Sequence, residues 1–153
     1  MIKWYEDSEV AIFFSDVPDV YIRFPANFQS NALREDIKLK PFINNKKIEV
    51  VLRDYSQSFI YEFEIKKDYT WDGASIPRFF WRLIGSKTDN RFLIPSLVHD
   101  VLCENHNYVD YDRYFSSMVF ERLLRVSGVN PVSRCLMFHS VDNFQKFKGW
   151  NND

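Results

Sequence analysis

Ile48-Glu49-Val50-Val51-Leu52-Arg53-Asp54-Tyr55-Ser56-Gln57-Ser58-Phe59-Ile60-Tyr61-Glu62-Phe63-Glu64-Ile65 decides the reading of the N-terminal half. Phe59, Tyr61, Phe63 and Ile65 alternate with Ile60, Glu62 and Glu64, a period of two that puts the first set on one face of an extended chain. Ile48 to Asp54 is rich in β-branched residues, and the polar tripeptide Tyr55-Ser56-Gln57 separates the two runs. The stretch therefore predicts a β-hairpin with one apolar and one mixed face. Working outward, Val10 to Ser15 and Val20 to Phe24 predict two further strands, with Asp16-Val17-Pro18-Asp19 as the turn.

After Tyr69 the apolar spacing shifts toward that of helices. Ser75 ahead of Pro77 predicts a helix start, because a Ser oxygen accepts from an orphan backbone N–H and Pro costs nothing in the first turn; Gly85 predicts its stop. A second helix is expected from near Pro95 through His99 to about Glu104. A third, starting at Asp110, carries Tyr114, Phe115, Met118, Val119, Arg122, Leu123 and Val126 before Gly128. A fourth follows Asn130-Pro131 and presents Val132, Leu136, Val141, Phe144 and Phe147 before Gly149. Strands first and helices after give an α+β class: an N-terminal mostly antiparallel β-sheet followed by about four α-helices. The 153 residues, 46% hydrophobic, suit one domain, β-rich over 1–70 and helical over 71–153.

Charge excludes some partners. Lys and Arg number 20 against 21 Asp and Glu, with no large basic block, so broad binding to nucleic acid or to anionic lipid is not expected. No run approaches the roughly 18 apolar residues of a membrane span. Met1 to Asp7 turns acidic where an export signal would be basic, which makes the cytoplasm the expected compartment. Cys103 and Cys135 form no CxxC pair and are expected as reduced thiols. The 15 Phe, 8 Tyr and 4 Trp either fill a core or leave an aromatic patch for a partner.

Polar residues capable of chemistry concentrate between Asp72 and Asp112. Asp72 before Gly73 reads as an Asx turn or as a catalytic carboxylate, and Ser75 as a helix cap or a nucleophile. Gly73-Ala74-Ser75-Ile76-Pro77 lacks the second Gly of a nucleophile elbow, which disfavours an α/β-hydrolase. His99-Asp100 sits among Leu93, Ile94, Leu97, Val98, Val101 and Leu102, where unpaired polar groups are costly. The pair reads as a structural hydrogen-bonding unit or as two ligands of a divalent metal. Phosphohydrolases of the HD type need an upstream His, and none precedes position 99. His99, Cys103 and His106 share a helical face and with Asp112 would make a zinc set, against a solvent-facing His106 and a buried Cys103. His139 reads as a core or edge histidine.

Asp72-Gly73-Ala74-Ser75-Ile76-Pro77, Phe80-Trp81, His99-Asp100-Val101-Leu102 and Asp112-Arg113-Tyr114-Phe115, with Gly128 and a last helix, resemble a domain-of-unknown-function family widespread in tailed phages and prophages. The resemblance covers roughly residues 65 to 150. It implies that Asp72, His99, Asp100 and Asp112 belong to one polar cluster and that the source is a phage or prophage, but it brings no reaction with it. Cys103 stands where that family is expected to carry an aromatic residue, commonly Tyr, so it reads as a packing replacement.

Two functions follow as expectations. In one, a phage-type accessory or virion-associated protein acts through an aromatic surface on a phage or host protein, in the host cytoplasm during infection or within the virion, and the polar cluster is an internal latch. In the other, a small hydrolase uses Asp72, His99, Asp100 and Asp112, with His99 as base or metal ligand and the carboxylates orienting it or binding a divalent ion.

Overall fold

A computed structural model describes residues 1–73, 89–107 and 109–150. The class is α+β. The chain divides into two compact units, Met1–Asp72 and Gly73–Asp153. The expected helix from Ser75 to Gly85 lies outside the described residues.

The first unit contains β1 (Ile2–Glu6), β2 (Val10–Phe14), β3 (Val20–Ile22), α1 (Asn31–Leu39), β4 (Phe42–Asn44), β5 (Ile48–Asp54), β6 (Phe59–Ile65) and β7 (Thr70–Trp71). A four-stranded antiparallel sheet has the order β1-β2-β5-β6, and a three-stranded one the order β3-β4-β7. The expected β5–β6 hairpin forms, pairing from Ile48 opposite Ile65 to Asp54 opposite Phe59, so that the connection is four residues, Tyr55 to Ser58, rather than the expected tripeptide. Its turn is organised by Asp54, whose Oδ1 accepts from Ser56 N (3.0 Å), Ser56 Oγ (2.7 Å) and Gln57 N (3.3 Å). Ile48, Val50 and Leu52 are buried beside Val10, Ile12 and Phe14 of β2, while Glu49 and Arg53 point to the open face.

Two expectations for this half are corrected. β2 and β3 do not form a hairpin: β2 lies between β1 and β5, whereas β3 pairs with β4. The segment Asp16–Asp19 therefore carries the chain from one sheet to the other, with Asp16 bridged to Lys46 at 3.2 Å and Asp19 accepting from Asn45 Nδ2 at 2.8 Å. The first 70 residues are also not all β structure. Ser30 caps α1, accepting from Leu33 N, and Ile37 supplies its buried residue.

In the second unit, Asp89 caps a short 3₁₀ turn, Asn90–Phe92, which runs into α2 (Leu93–Asn105). Two longer helices follow, α3 (Arg113–Val126) and α4 (Pro131–Phe147). Phe92, Phe120, Leu124, Val129, Met137 and Val141 form a core cluster. The cap of α3 is Asp112 rather than Asp110, because only at Asp112 does the carboxylate reach Phe115 N, at 2.7 Å. Gly128 (φ 85°) and Gly149 (φ 103°) end α3 and α4 in the left-handed region, with Val129 N donating to Leu124 O and Trp150 N to Gln145 O. No helix among the described residues is long and apolar enough to cross a membrane.

Candidate functional site

His99 sits on the buried face of α2, between Val98 and Asp100, and is 4% exposed. Its ring lies 5.1 Å from that of Phe120 on α3, and Cys103 Sγ, one turn along, is 3.7 Å from Nδ1 and 3.6 Å from Nε2. Burial pulls the imidazole down to about 4; the negative charge of Asp142 on α4 acts the other way and is outweighed. His99 is therefore neutral near pH 7. Burial likewise pushes the Cys103 thiol far up, with Asp100 and Glu104 adding to the rise and Lys148 opposing it. Such a thiol is a poor nucleophile.

Asp142 belongs to a network that ties three parts of the unit together. Its Oδ1 accepts from Arg113 Nε (3.0 Å) and from Ser117 Oγ (2.9 Å), one turn apart on α3. Arg113 NH1 donates to the Trp150 carbonyl at 2.6 Å, beyond the end of α4. The Trp150 ring stacks on His106 at 4.3 Å and meets Tyr111 edge-on at 6.0 Å. Tyr111 in turn donates to Leu102 O at 2.5 Å, which fastens the segment before α3 to the end of α2.

A second network centres on Glu121, whose carboxylate accepts from Arg122 NH1 (2.6 Å), Arg125 Nε (2.9 Å) and Arg134 Nε (3.0 Å). Burial alone raises the Glu121 carboxyl, but the hydrogen bonds from Arg125, Arg122 and Arg134 outweigh it and hold the group below its ordinary range. Arg134 also donates to Val129 O at 2.8 Å, so this network joins α3, its terminal turn and α4.

The residues singled out from the sequence have these places. Asp72 is exposed and ends the first unit, one residue after buried Trp71. Asp100 is half-buried on α2, close enough to Cys103 to act on its thiol. Asp112 is committed to capping α3. His106 is stacked on Trp150, and His139 is exposed with its ring edge-on to Phe138. Cys103 and Cys135 are free. Among the described residues His99 and Cys103 are in contact, with Asp100 close to Cys103.

Those two donors fall short of the four that a structural zinc requires. Among the described residues no group of three or more His, Cys, Asp and Glu could hold a metal ion.

The residues that reading the sequence missed are Arg113, Ser117 and Asp142, with Glu121 and its three arginines. Arg113 stands inside the quoted Asp112-Arg113-Tyr114-Phe115 motif, and Ser117 follows it at helical spacing. Asp142 follows Val141 on a helix whose sequence signal is its apolar stripe.

Comparison with known proteins places the chain in a family of unknown function. The profile of a family described as "Protein of unknown function (DUF1353)" matches residues 49–141. An uncharacterized protein of Sinorhizobium fredii, y4jT, is 40% identical over 73 residues, which is 48% of this chain and 21% of that protein. The chain thus spans about a fifth of the length of that curated relative. No solved structure matches it. The family match takes in the β5–β6 hairpin, α2, α3 and most of α4, and the chain belongs to the DUF1353 family.

Proposed function

We propose that this protein is an accessory protein of phage type, associated with infection or with the virion, that works by docking onto a phage or host protein. The phage attribution is supported by the motif resemblance. The docking is supported by one observation, the exposure of large apolar side chains around the link between β3 and α1. Phe28 is 91% exposed and Phe24 74%, and Leu39 at the end of α1 is 71% exposed. Arg23 N donates to Pro41 O and Arg23 NH2 to Lys40 O, both at 2.7 Å, so Phe24 and Leu39 leave neighbouring stretches of chain. Rings left in water at such exposure are characteristic of contact surfaces.

The polar networks of the second unit fit the same reading as internal fastenings. A neutral imidazole pulled down to about 4 is a weak base near pH 7, where a catalytic base is most effective with a matching pKa. The hydrolase alternative built on Asp72, His99, Asp100 and Asp112 has no comparable observation in its favour.

The test places a photo-crosslinking amino acid at Phe28 and irradiates cells carrying the source phage or prophage. One recurrent adduct, identified by mass spectrometry and lost in a Phe24→Ser/Leu39→Ser background, is expected. Adducts identical to those from a control probe at exposed Lys38 would overturn the docking reading.

A further inference from the structure

The two edges of the four-stranded sheet are built differently. β1 carries Lys3 and a register shift between Lys3 and Tyr5, both of which discourage another strand from adding to it. β6 has neither device. Phe59-Ile60-Tyr61-Glu62-Phe63-Glu64-Ile65 contains no Pro, Gly or Lys, and it pairs with β5 at every residue without a bulge. Its other side is paired with no strand among the described residues. Phe59 and Ile60, at its start, are 50% and 58% exposed. A regular, half-apolar seven-residue edge offers a row of backbone donors and acceptors to an incoming strand.

The charge beside this edge selects what can add. On the open face Glu49 stands directly opposite Glu64, an unfavourable cross-strand pair, and Glu62 lies two residues along from Glu64. Lys47 bridges Glu49 at 3.9 Å and Glu64 at 3.4 Å, and Glu62 has no ion-pair partner among the described residues. These three carboxylates, with Met1, Val51 and Phe63, line a shallow depression of about 390 Å³. Pairing two copies of β6 antiparallel about the middle would set Glu62 against Glu62 or Glu64 of the second copy, so self-addition is repelled. A basic strand meets the opposite situation.

We infer that β6 is a strand-addition site for an extended segment of the partner protein, one with Lys or Arg at alternate positions over Glu62 and Glu64 and apolar residues between them over Phe59 and Phe63. This rests on the docking reading above and adds to it the conformation and charge of the partner. Main-chain hydrogen bonds along the edge supply the attachment, and the alternating side chains supply the choice between the two faces.

The probe is a labelled nine-residue peptide alternating Lys with Val and Thr, titrated into the full chain and followed by fluorescence anisotropy and amide hydrogen exchange. Saturable binding is expected, with slowed exchange confined to Phe59–Ile65. Glu62→Lys/Glu64→Lys should weaken it at least tenfold with an unchanged melting curve, and a peptide with alternate backbone nitrogens methylated should not bind. A Phe28→Ser variant should bind as the unaltered chain does. No saturation by about 1 mM, equal binding of the matching Glu peptide, or protection elsewhere would each overturn the proposal. Peptide failure alongside a persistent crosslink at Phe28 would remove the strand site and leave the docking reading intact.

Discussion

Lowering the pH tests the burial of His99 directly. The imidazole takes a proton at about 6.5 when the chain is unfolded and only at about 4 when it is folded. Between those values the unfolded chain binds the proton that the folded chain refuses, so acid favours unfolding. The contribution is fully present above about pH 6.5 and is lost as the pH falls toward 4. At 1.36 kcal/mol per pH unit the loss is about 1.4 kcal/mol at pH 5.5 and about 2.5 kcal/mol at pH 4.5. The assay is urea unfolding followed by far-UV circular dichroism at pH 7, 5.5 and 4.5, for the unaltered chain and for His99→Leu. Carboxylates held low in the fold, Glu121 and Asp89 among them, destabilise both proteins alike as they protonate. The difference between the two curves therefore belongs to His99. Parallel curves, or a His99 imidazole that titrates near 6.5 by NMR, would refute the reasoning.

Other outcomes follow from the same packing. Asp142→Ala strips Arg113 and Ser117 of their shared acceptor and should cost about 2 to 4 kcal/mol in chemical denaturation, with Asp142→Asn costing less because an amide oxygen still accepts. Gly128→Ala should cost about 1 kcal/mol through the backbone alone, since an added Cβ meets nothing within 4 Å but φ is +85°. With a thiol reagent at pH 8, exposed Cys135 should react first and Cys103 only as the fold opens, which a Cys135→Ser variant read by absorbance would separate.

The parts of the fold that were legible are those with long periodic runs. Seven residues each in β5 and β6 repeat the alternation often enough to fix strand and face, and α3 and α4 carry several turns of apolar spacing between an N-cap and a glycine. Of the small sheet only β3 was legible as a strand; β4, β7 and the pairing of all three were not, because the strands are two or three residues long and are held by non-local pairing. Helix α1 buries only Ile37, too little apolar signal to show a period, and its cap Ser30 was its clearest mark. At the candidate site, His99 was recognisable as a polar group in an apolar helix. Its electrostatic neighbour was not, because Asp142 lies on another helix and no local pattern ties the two. Asp112 drew attention for its residue type, while its position ahead of Phe115 gives it a capping role.

The clasp at Trp150 also sets an order of assembly. Arg113 and Ser117 are synthesised well before Asp142, and Arg113 reaches its second partner only when the Trp150 carbonyl has left the ribosome. Until then α2 and α3 can pack their apolar faces, but Asp142 and the Trp150 carbonyl are not yet there to accept from Arg113, and the ring that stacks on His106 is still missing. The helical unit thus closes late, from its far end back onto its beginning. A chain stopped after Lys148 should accordingly be cut by protease near Asn105, where the intact chain resists.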